Sequence, residues 1–453
     1  MSTVIEQIKE RIDIVAFISD YVPLRKAGRN WLGFCPFHPN SRSPAFTVFP
    51  DTQSYHCFGC KASGTAFDFL MQREALSFSE ALGQLAERTG VQLKPRTEHD
   101  EQEDARRSRL LEINAAAARF FTHLLLRSPR GAAARAYLDG RGINAATIER
   151  FQLGYAPEEW SSLLAYLNDH LRAQPADVEA AGLALERDGG GYYDRFRGRL
   201  MFPIHDAKGR IVGFGGRVLG DGHPKYLNTP QTLLFDKSAV LYGLHQARDA
   251  VRAAEQAVVV EGYVDVVMAH QQGFANVVAP MGTALTEVHA GMLNKLAKRI
   301  TLAMDGDQAG QTAALRGLQT LRDTLETHAV LVPTASGMLR WERELDAEIT
   351  IALLPPGRDP DDILRANPAD WEALIAGAQP LMDFYFGALT QGLNLATAKG
   401  KAAAVEKLAP LVAQIGDQIE QAHYIQQLAG LVGVEERMIR EAAQVRPPAA
   451  PGQ

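Results

Sequence analysis

Apolar positions recur along this chain in two rhythms, one helical and one strand-like, and the switches between them mark its organisation. From Val4 to Tyr21 the residues Val4, Ile5, Ile8, Ile12, Val15, Phe17 and Ile18 fall at helical intervals, and Pro23 marks the helix end. Helical spacing returns at Thr65–Arg73 and Ser79–Thr89, then in an alanine-rich stretch from Leu110 to Leu126, and again at Ala132–Leu138. Leu200–Ile204 and Ile211–Phe214 read as strands joined by the turn Asp206-Ala207-Lys208-Gly209. Between Ala254 and Leu364 the rhythms alternate: strand to Glu261, helix through Ala269, strand Ala275–Val278, helix Thr286–Ala297, strand to Asp305, helix Gln308–Leu321. Strands His328–Val332 and Ile349–Leu354 follow. Such alternation predicts a largely parallel sheet with helices on both faces. From Pro380 to Val445 the pattern is helical throughout. The expected fold class is multidomain α+β.

Polar interruptions set the expected boundaries. PRTEHDEQEDARRSR, from Pro95 to Arg109, has no apolar face and reads as a linker or frayed helix start, a tether that holds its two sides at high effective concentration. RPPAAPGQ at the end reads as a disordered tail. The predicted divisions are 1–94, linker 95–109, 110–253, 254–365, 366–445 and tail 446–453.

At 453 residues and 46% hydrophobic content the chain suits a soluble protein of several domains. No apolar run reaches membrane-spanning length, and MSTVIEQIKERIDIV lacks the basic region and apolar core of an export signal, so a cytoplasmic protein with no membrane partner is expected. The net charge of −6 argues weakly against a nucleic-acid binder, but Arg187–Arg252 carries eleven Lys/Arg against six Asp, a local balance of +5. A basic segment beside an acidic metal site suits a polymerase that handles an anionic template and anionic nucleotides.

Only three cysteines occur, a poor disulfide set. Cys35-Pro-Phe-His38 and Cys57-Phe-Gly-Cys60 form two knuckles separated by eighteen residues. Three thiolates and one imidazole make a closed tetrahedral Zn²⁺ site, which folds a domain rather than catalysing. His56 competes with His38 as ligand, and the order Cys-His-Cys-Cys favours His38. Between the knuckles Phe46, Thr47, Val48, Phe49 and Tyr55, with Arg25, Lys26, Arg29, Trp31 and Arg42 upstream or beside them, are expected to stack bases and hold a single strand; the alternative is the core of a small sheet.

AVVVEGYVDVV delivers Glu261 to a strand end, with Asp265 four residues on; MDGDQAG places Asp305 and Asp307 after the next strand; GRDPDD repeats the spacing at Asp359 and Asp361. A lone Asp-x-Asp is most often a solvated turn. Three acidic strand ends in order need a cation to offset their repulsion, and oxygen ligands with room for water and phosphate suit Mg²⁺.

EGYVDVV, MDGDQAG and LPPGRDPDD resemble the Toprim catalytic domain of bacterial DNA primases, and CPFHPNSRSPAFTVFPDTQSYHCFGCKASGTAFDFL closely resembles their zinc-binding domain. The similarity continues through YLDGRGINAATIERFQLGYAP, GFGGR and PKYLN, so it spans nearly the whole chain. It implies a small zinc-ribbon-like N-terminal domain, a mixed α/β basic subdomain, an α/β Toprim domain and a C-terminal helical subdomain. It further implies a DNA primase, synthesising short RNA primers on single-stranded DNA by metal-dependent nucleotidyl transfer. Carried over residue by residue, Glu261, Asp265, Asp305, Asp307, Asp359 and Asp361 are the catalytic set. All but Asp265 are expected as ligands of Mg²⁺ or Mn²⁺, with Asp305 and Asp307 first; Glu261 is a ligand or the general base. Arg141, Arg217, Lys225, Asn228 and Lys237 are expected to grip template and nucleotide, and Gly213, Gly215 and Gly216 to allow close approach to a phosphate. One structural Zn²⁺ per chain is implied at Cys35, His38, Cys57 and Cys60.

Expected partners are single-stranded DNA, ribonucleoside triphosphates, a replicative helicase and single-strand-binding protein, acting on a monomer at the replication fork in the nucleoid. The separate helicase-binding domain that usually ends the family is expected to have no counterpart here. The segment from Pro333 to Glu348 is longer than the family's connection. The competing readings are a Toprim nuclease or topoisomerase, which shares the acidic set, and a non-catalytic single-strand-binding protein.

Overall fold

The computed structural model describes residues 4–38, 44–74, 76, 78–92, 98–282, 285–304, 329–333, 339–343, 348–415 and 418–444. They divide into two compact units, Met1–Glu103 and Asp104–Gln453. Among the described residues no helix is long and apolar enough to cross a membrane.

In the first unit the single helix expected over 4–21 is two helices, Val4–Arg11 and Ile14–Ser19. The break is a capping event: the Asp13 carboxylate accepts from the Val15 and Ala16 N–H groups and starts a new helix. A five-stranded antiparallel meander follows, from Arg25–Ala27 through Asn30–Gly33, Phe46–Phe49 and Ser54–Cys57 to Ser63–Gly64. Helices Ala66–Glu74 and Phe78–Thr89 close over it. Phe46, Val48 and Tyr55 are fully buried against Phe17 and Phe69, with Phe46 and Tyr55 stacked at 5.2 Å. These side chains therefore form the core of the sheet rather than a base-stacking surface. Among the described residues of this unit, Phe34, Phe58 and Phe78 are exposed aromatics.

The expected linker is helical where it is described: Glu98–Arg127 is one helix of 30 residues. Its acidic first turn, Glu98, Asp100 and Glu101, complements the helix dipole, and its apolar face begins at Leu110. A polar stretch without an apolar face can still extend a helix whose later turns are packed.

The second unit holds two main sheets. An antiparallel sheet runs in the order Tyr226–Asn228, Ile211–Val218, Arg199–His205, Gly154–Ala156. The turn at its centre is fixed by Asp206, whose Oδ1 accepts from the N–H groups of Lys208 and Arg210, and by Gly209 at φ +79°. The other sheet runs Val277–Val278, Gln256–Val259, Arg299–Met304, Glu348–Leu353, all parallel, with Gln379–Pro380 antiparallel at the edge. Strand period decides what each face meets. Val259, Ile300, Leu302 and Ile351 pack with Phe384, Leu408 and Leu428 of the C-terminal helices. Val258, Ala303 and Ala352 share a core with Phe202, Tyr242 and Tyr263. The basic and Toprim-like regions, expected as separate subdomains, thus share one hydrophobic core. Ala329–Pro333, expected as a strand of the parallel sheet, pairs instead with Leu339–Arg343 in a hairpin of its own, which accounts for part of the long segment from Pro333 to Glu348. Helices Leu381–Thr390, Ala398–Ala413, Gln418–Val432 and Glu436–Gln444 complete the unit.

Candidate active site

In the first unit, the Cys35–His38 and Cys57–Cys60 knuckles come together, and the ligand atoms of Cys35, His38, Cys57 and Cys60 all lie within 4.8 Å of one another. Cys35 and Cys60 Sγ are 3.7 Å apart, and Cys57 Sγ is 3.8 Å from His38 Nδ1. A tetrahedral ion with metal–sulfur bonds of about 2.3 Å sets its sulfurs roughly 3.8 Å apart, so this donor set fits Zn²⁺. Burial pushes the Cys35 thiol up to about 12, a cost that a cation removes by binding the thiolate. Gly59 makes room for the imidazole: a Cβ there would stand 2.8 Å from His38 Nε2. His56 is outside this cluster, its ring against Phe58 at 4.8 Å.

In the second unit, Glu261 follows the strand Gln256–Val259 and is exposed at its C-terminal end, while Asp265 lies in the first turn of helix Tyr263–Gln271. The Asp265 carboxylate accepts from the Gly262 N–H at 3.0 Å. A side chain on Gly262 would meet that carboxylate at 2.8 Å, which explains the glycine of EGY. Asp359 stands at the N-cap position of the helix Pro360–Ala366 with no side-chain capping bond, and Asp361 in its first turn is 1% exposed. Carboxylate oxygens of Asp359, Asp361 and Asp362 lie within 4.8 Å of one another; Asp362, which the motif contains but the sequence reading did not single out, also pairs with Arg365. Burial, then the charges of Asp361 and Asp359, pushes the Asp265 carboxyl up to about 7 despite backbone N–H groups of Asp361 and Gly262 that favour its charged form. Such mutual repulsion is relieved by a hard cation. Asp305 and Asp307 lie outside the described residues.

Basic residues line the same cavity. Arg141 follows the helix Ala132–Gly140 and pairs with Asp361. Burial would lower its pKa, but the Asp361 partner outweighs that and holds the guanidinium above its ordinary value. Arg217 Nη1 donates to the Tyr226 hydroxyl at 2.7 Å. Asn228, expected to grip phosphate, has both ends of its amide engaged: Nδ2 donates to the Met281 carbonyl at 3.0 Å and Oδ1 accepts from the Tyr263 hydroxyl at 2.8 Å. These bonds fix its orientation in the cavity lining and leave its second N–H free to donate. One cavity of about 350 Å³ is lined by Arg141, Arg217, Lys225, Asn228, Glu261, Asp265, Asp359 and Asp361 together. Lys237 is exposed and is not among its lining residues. Gly213, Gly215 and Gly216, expected to approach a phosphate, are buried inside a strand. They are small because other side chains occupy their space: a Cβ on Gly215 would stand 2.4 Å from the Tyr263 ring, and one on Gly216 2.9 Å from Phe196.

A second recess of about 510 Å³ was not visible in the sequence. It is lined by Trp160, Glu186, Arg187, Asp188 and Tyr193. The Arg197 guanidinium lies 4.2 Å from the Trp160 ring and 5.1 Å from Tyr193, and Arg187 lies 5.6 Å from both; Trp160 is 56% exposed. An open aromatic face backed by arginines suits a nucleobase. Its signal was the pairing of Trp160 with Tyr193 across a fold, which no local motif carries.

Four family models match the chain: CHC2 zinc finger over residues 1–101; DNA primase catalytic core, N-terminal domain, over 120–248; Toprim domain over 255–332; and DnaB-helicase binding domain of primase over 382–437. The last overturns the expectation that a helicase-binding domain has no counterpart here. The helices from Leu381 onward were read as the end of a core, and amphipathic spacing does not distinguish a face that packs inward from one that meets a partner. The chain is 39% identical to the DNA primase of Halalkalibacterium halodurans over 431 residues, 94% of this chain and 68% of that protein. It is 41% identical to the DNA primase of Synechococcus elongatus over 435 residues, 94% and 60% of the two chains. Among solved structures it is similar to a DNA primase domain from Pseudomonas aeruginosa, with TM-score 0.64 and 38% identity over 74% of this chain and 99% of that one. The zinc-binding and RNA polymerase domains of Aquifex aeolicus primase match with TM-score 0.59 and 28% identity over 97% of this chain and 99% of that one. A DnaG primase catalytic domain bound to ssDNA matches with TM-score 0.62 and 33% identity over 72% and 99%.

Proposed function

The chain belongs to the bacterial DNA primase family and is a DNA-directed RNA polymerase, and we propose that ribonucleotides are joined into RNA primers in the cavity lined by its carboxylates and its arginines. The observation that carries this is that a single cavity is lined by acidic and basic residues brought from four separate stretches of sequence. The reaction is attack of a 3′-hydroxyl on the α-phosphorus of a ribonucleoside triphosphate, with pyrophosphate leaving. When bound, a divalent cation, Mg²⁺ or Mn²⁺, supplies positive charge to the attacking and leaving oxygens. Glu261, Asp359 and Asp361, with Asp305 and Asp307, would hold it. Arg141, Arg217 and Lys225 bind the phosphates and set them in line, which is most of what a protein contributes to such a transfer. Asp265 keeps Gly262 and the start of its helix in register, so that Glu261 stays at the cavity mouth.

The template strand reaches the cavity as single-stranded DNA, with bases stacked on Trp160 and Tyr193 and phosphates met by Arg187 and Arg197. That the catalytic domain of a relative binds ssDNA supports a single-stranded template; the path over Trp160 rests on the recess itself. One structural Zn²⁺ holds the first unit at Cys35, His38, Cys57 and Cys60. The helices matched over 382–437 contact a replicative helicase.

The test is Asp305→Asn and Asp359→Asn, which remove charge with little change in size. Primer synthesis is expected to fall by at least about a hundredfold, since metal stabilisation of the transition state is worth several kcal/mol and each 1.4 kcal/mol is tenfold. Single-stranded DNA binding is expected to survive. Near-normal synthesis by both variants removes the assignment.

A further inference from the structure

Arg141 and Arg217 reach the cavity from different elements, Arg141 from the end of the helix Ala132–Gly140 and Arg217 from the strand Ile211–Val218. What they share is one ring. The Arg217 guanidinium lies 5.0 Å from the centroid of Tyr137, and that of Arg141 lies 5.6 Å from the same centroid. Tyr137 is one helical turn before Arg141, and the Arg141 N–H donates to the Tyr137 carbonyl at 3.1 Å, so ring and guanidinium are held on the same side of the helix end. Arg217 has a second aromatic neighbour, Tyr226, at 5.4 Å.

Two guanidiniums placed near one another repel, and their long side chains lose rotamer freedom when fixed. Asp361 offsets this for Arg141, and it does so only while its carboxylate faces Arg141 rather than a cation. Arg217 forms no ion pair with a carboxylate among the described residues. The electron-rich face of an aromatic ring is the other group that attracts both cations, without neutralising either. It therefore leaves the full positive charge available to a phosphate.

Resting on the reading that these basic residues bind the incoming nucleotide, we propose that Tyr137 is a positioning residue that holds Arg141 and Arg217 at the spacing that takes the phosphates of a ribonucleoside triphosphate. The ring is the operative group, because both guanidiniums lie over it; the hydroxyl also faces Arg141, and Tyr137→Phe separates the two. Tyr137 touches neither the reacting atoms nor the cation ligands other than through Arg141. Its effect falls on nucleotide binding more than on the chemical step.

The experiment is steady-state primer synthesis on single-stranded DNA with varied ribonucleoside triphosphate, run for Tyr137→Leu, Tyr137→Phe and Arg217→Ala. Tyr137→Leu is expected to raise KM for the nucleotide about tenfold, the worth of one to two cation–π contacts, with kcat changed by less than about threefold. Tyr137→Phe is expected to recover most of that loss. A fall in kcat at unchanged KM in Tyr137→Leu overturns the proposal, because loss of folded enzyme does that. A Phe variant as impaired as Leu overturns the role of the ring. If Arg217→Ala raises KM while Tyr137→Leu does not, this proposal fails alone. If Arg217→Ala also leaves KM unchanged, the nucleotide-binding role of these basic residues fails and the proposal falls with it.

Discussion

Arg141 and Asp361 are 220 positions apart in sequence and form an ion pair in which the carboxylate is almost wholly buried and the guanidinium about one-quarter exposed. Asp361 thus has its charge compensated from within the protein. The same carboxylate is a candidate cation ligand, so arginine and metal compete for it.

Removing Arg141 should expose that competition. Arg141→Ala leaves a buried carboxylate without its partner and is expected to cost about 1–3 kcal/mol of stability in metal-free buffer. Added Mg²⁺ or Mn²⁺ should recover more stability in the variant than in the wild type. Thermal melts with and without the ions test this, and equal metal-induced shifts would refute the competition.

The zinc cluster carries two predictions of different strength. Cys60→Ser should lose the metal and unfold the unit Met1–Glu103, leaving the unit Asp104–Gln453 folded. Gly59→Ala should keep all four ligands yet weaken zinc by about tenfold or more, because the new methyl displaces His38. Zinc content and chelator competition measure both; wild-type affinity in Gly59→Ala would mean the knuckle relaxes around the methyl.

His270 supplies a pH dependence. It is 3% exposed, its Nε2 is 2.9 Å from the Val277 carbonyl, and burial pushes its pKa down to about 4. A histidine held below its unfolded value near 6.5 favours folding while neutral, so its contribution is complete above pH 6.5 and is lost as the pH falls toward 4. The full effect is roughly 3 kcal/mol at 1.36 kcal/mol per pH unit. Denaturation of wild type and His270→Gln between pH 7 and 4.5 should show a steeper loss in the wild type; parallel curves would assign acid sensitivity elsewhere.

The Trp160 recess separates stacking from charge. Trp160→Ala should weaken single-stranded DNA about tenfold with little change in salt dependence, since base stacking is worth about 1–3 kcal/mol and releases no counterion. Arg197→Ala should instead reduce the logarithmic salt slope by about 0.7. Fluorescence anisotropy at several salt concentrations measures both, and unchanged affinity for both variants would take the template off this surface.

What the sequence made legible was whatever sits in one short stretch. Both zinc knuckles, the carboxylate after a valine run and the hairpin turn at Asp206 are local chemistry, and each stands where its motif placed it. Residues defined by what lies across the fold were not legible. The glycines of GFGGR resemble a phosphate loop until Tyr263 and Phe196 are seen filling their space. The hold of Met281 and Tyr263 on the Asn228 amide, which fixes how it faces the cavity, has no trace in its local motif. The aromatics between the knuckles carry a pattern common to a small core and a binding face, and burial alone tells the two apart. The capping Asp13 cut one expected helix into two, although a single carboxylate barely alters the hydrophobic rhythm.

Gly215 and Tyr263 have a consequence for how this protein tolerates change. The ring of Tyr263 fills the space above Gly215, and its hydroxyl holds Asn228, so the strand bearing Arg217 and the helix that follows Glu261 are fastened at one point. A residue larger than glycine at 215 can be accommodated only by shrinking residue 263, and that releases Asn228. The two positions are therefore one heritable unit, open to joint replacement and closed to stepwise drift.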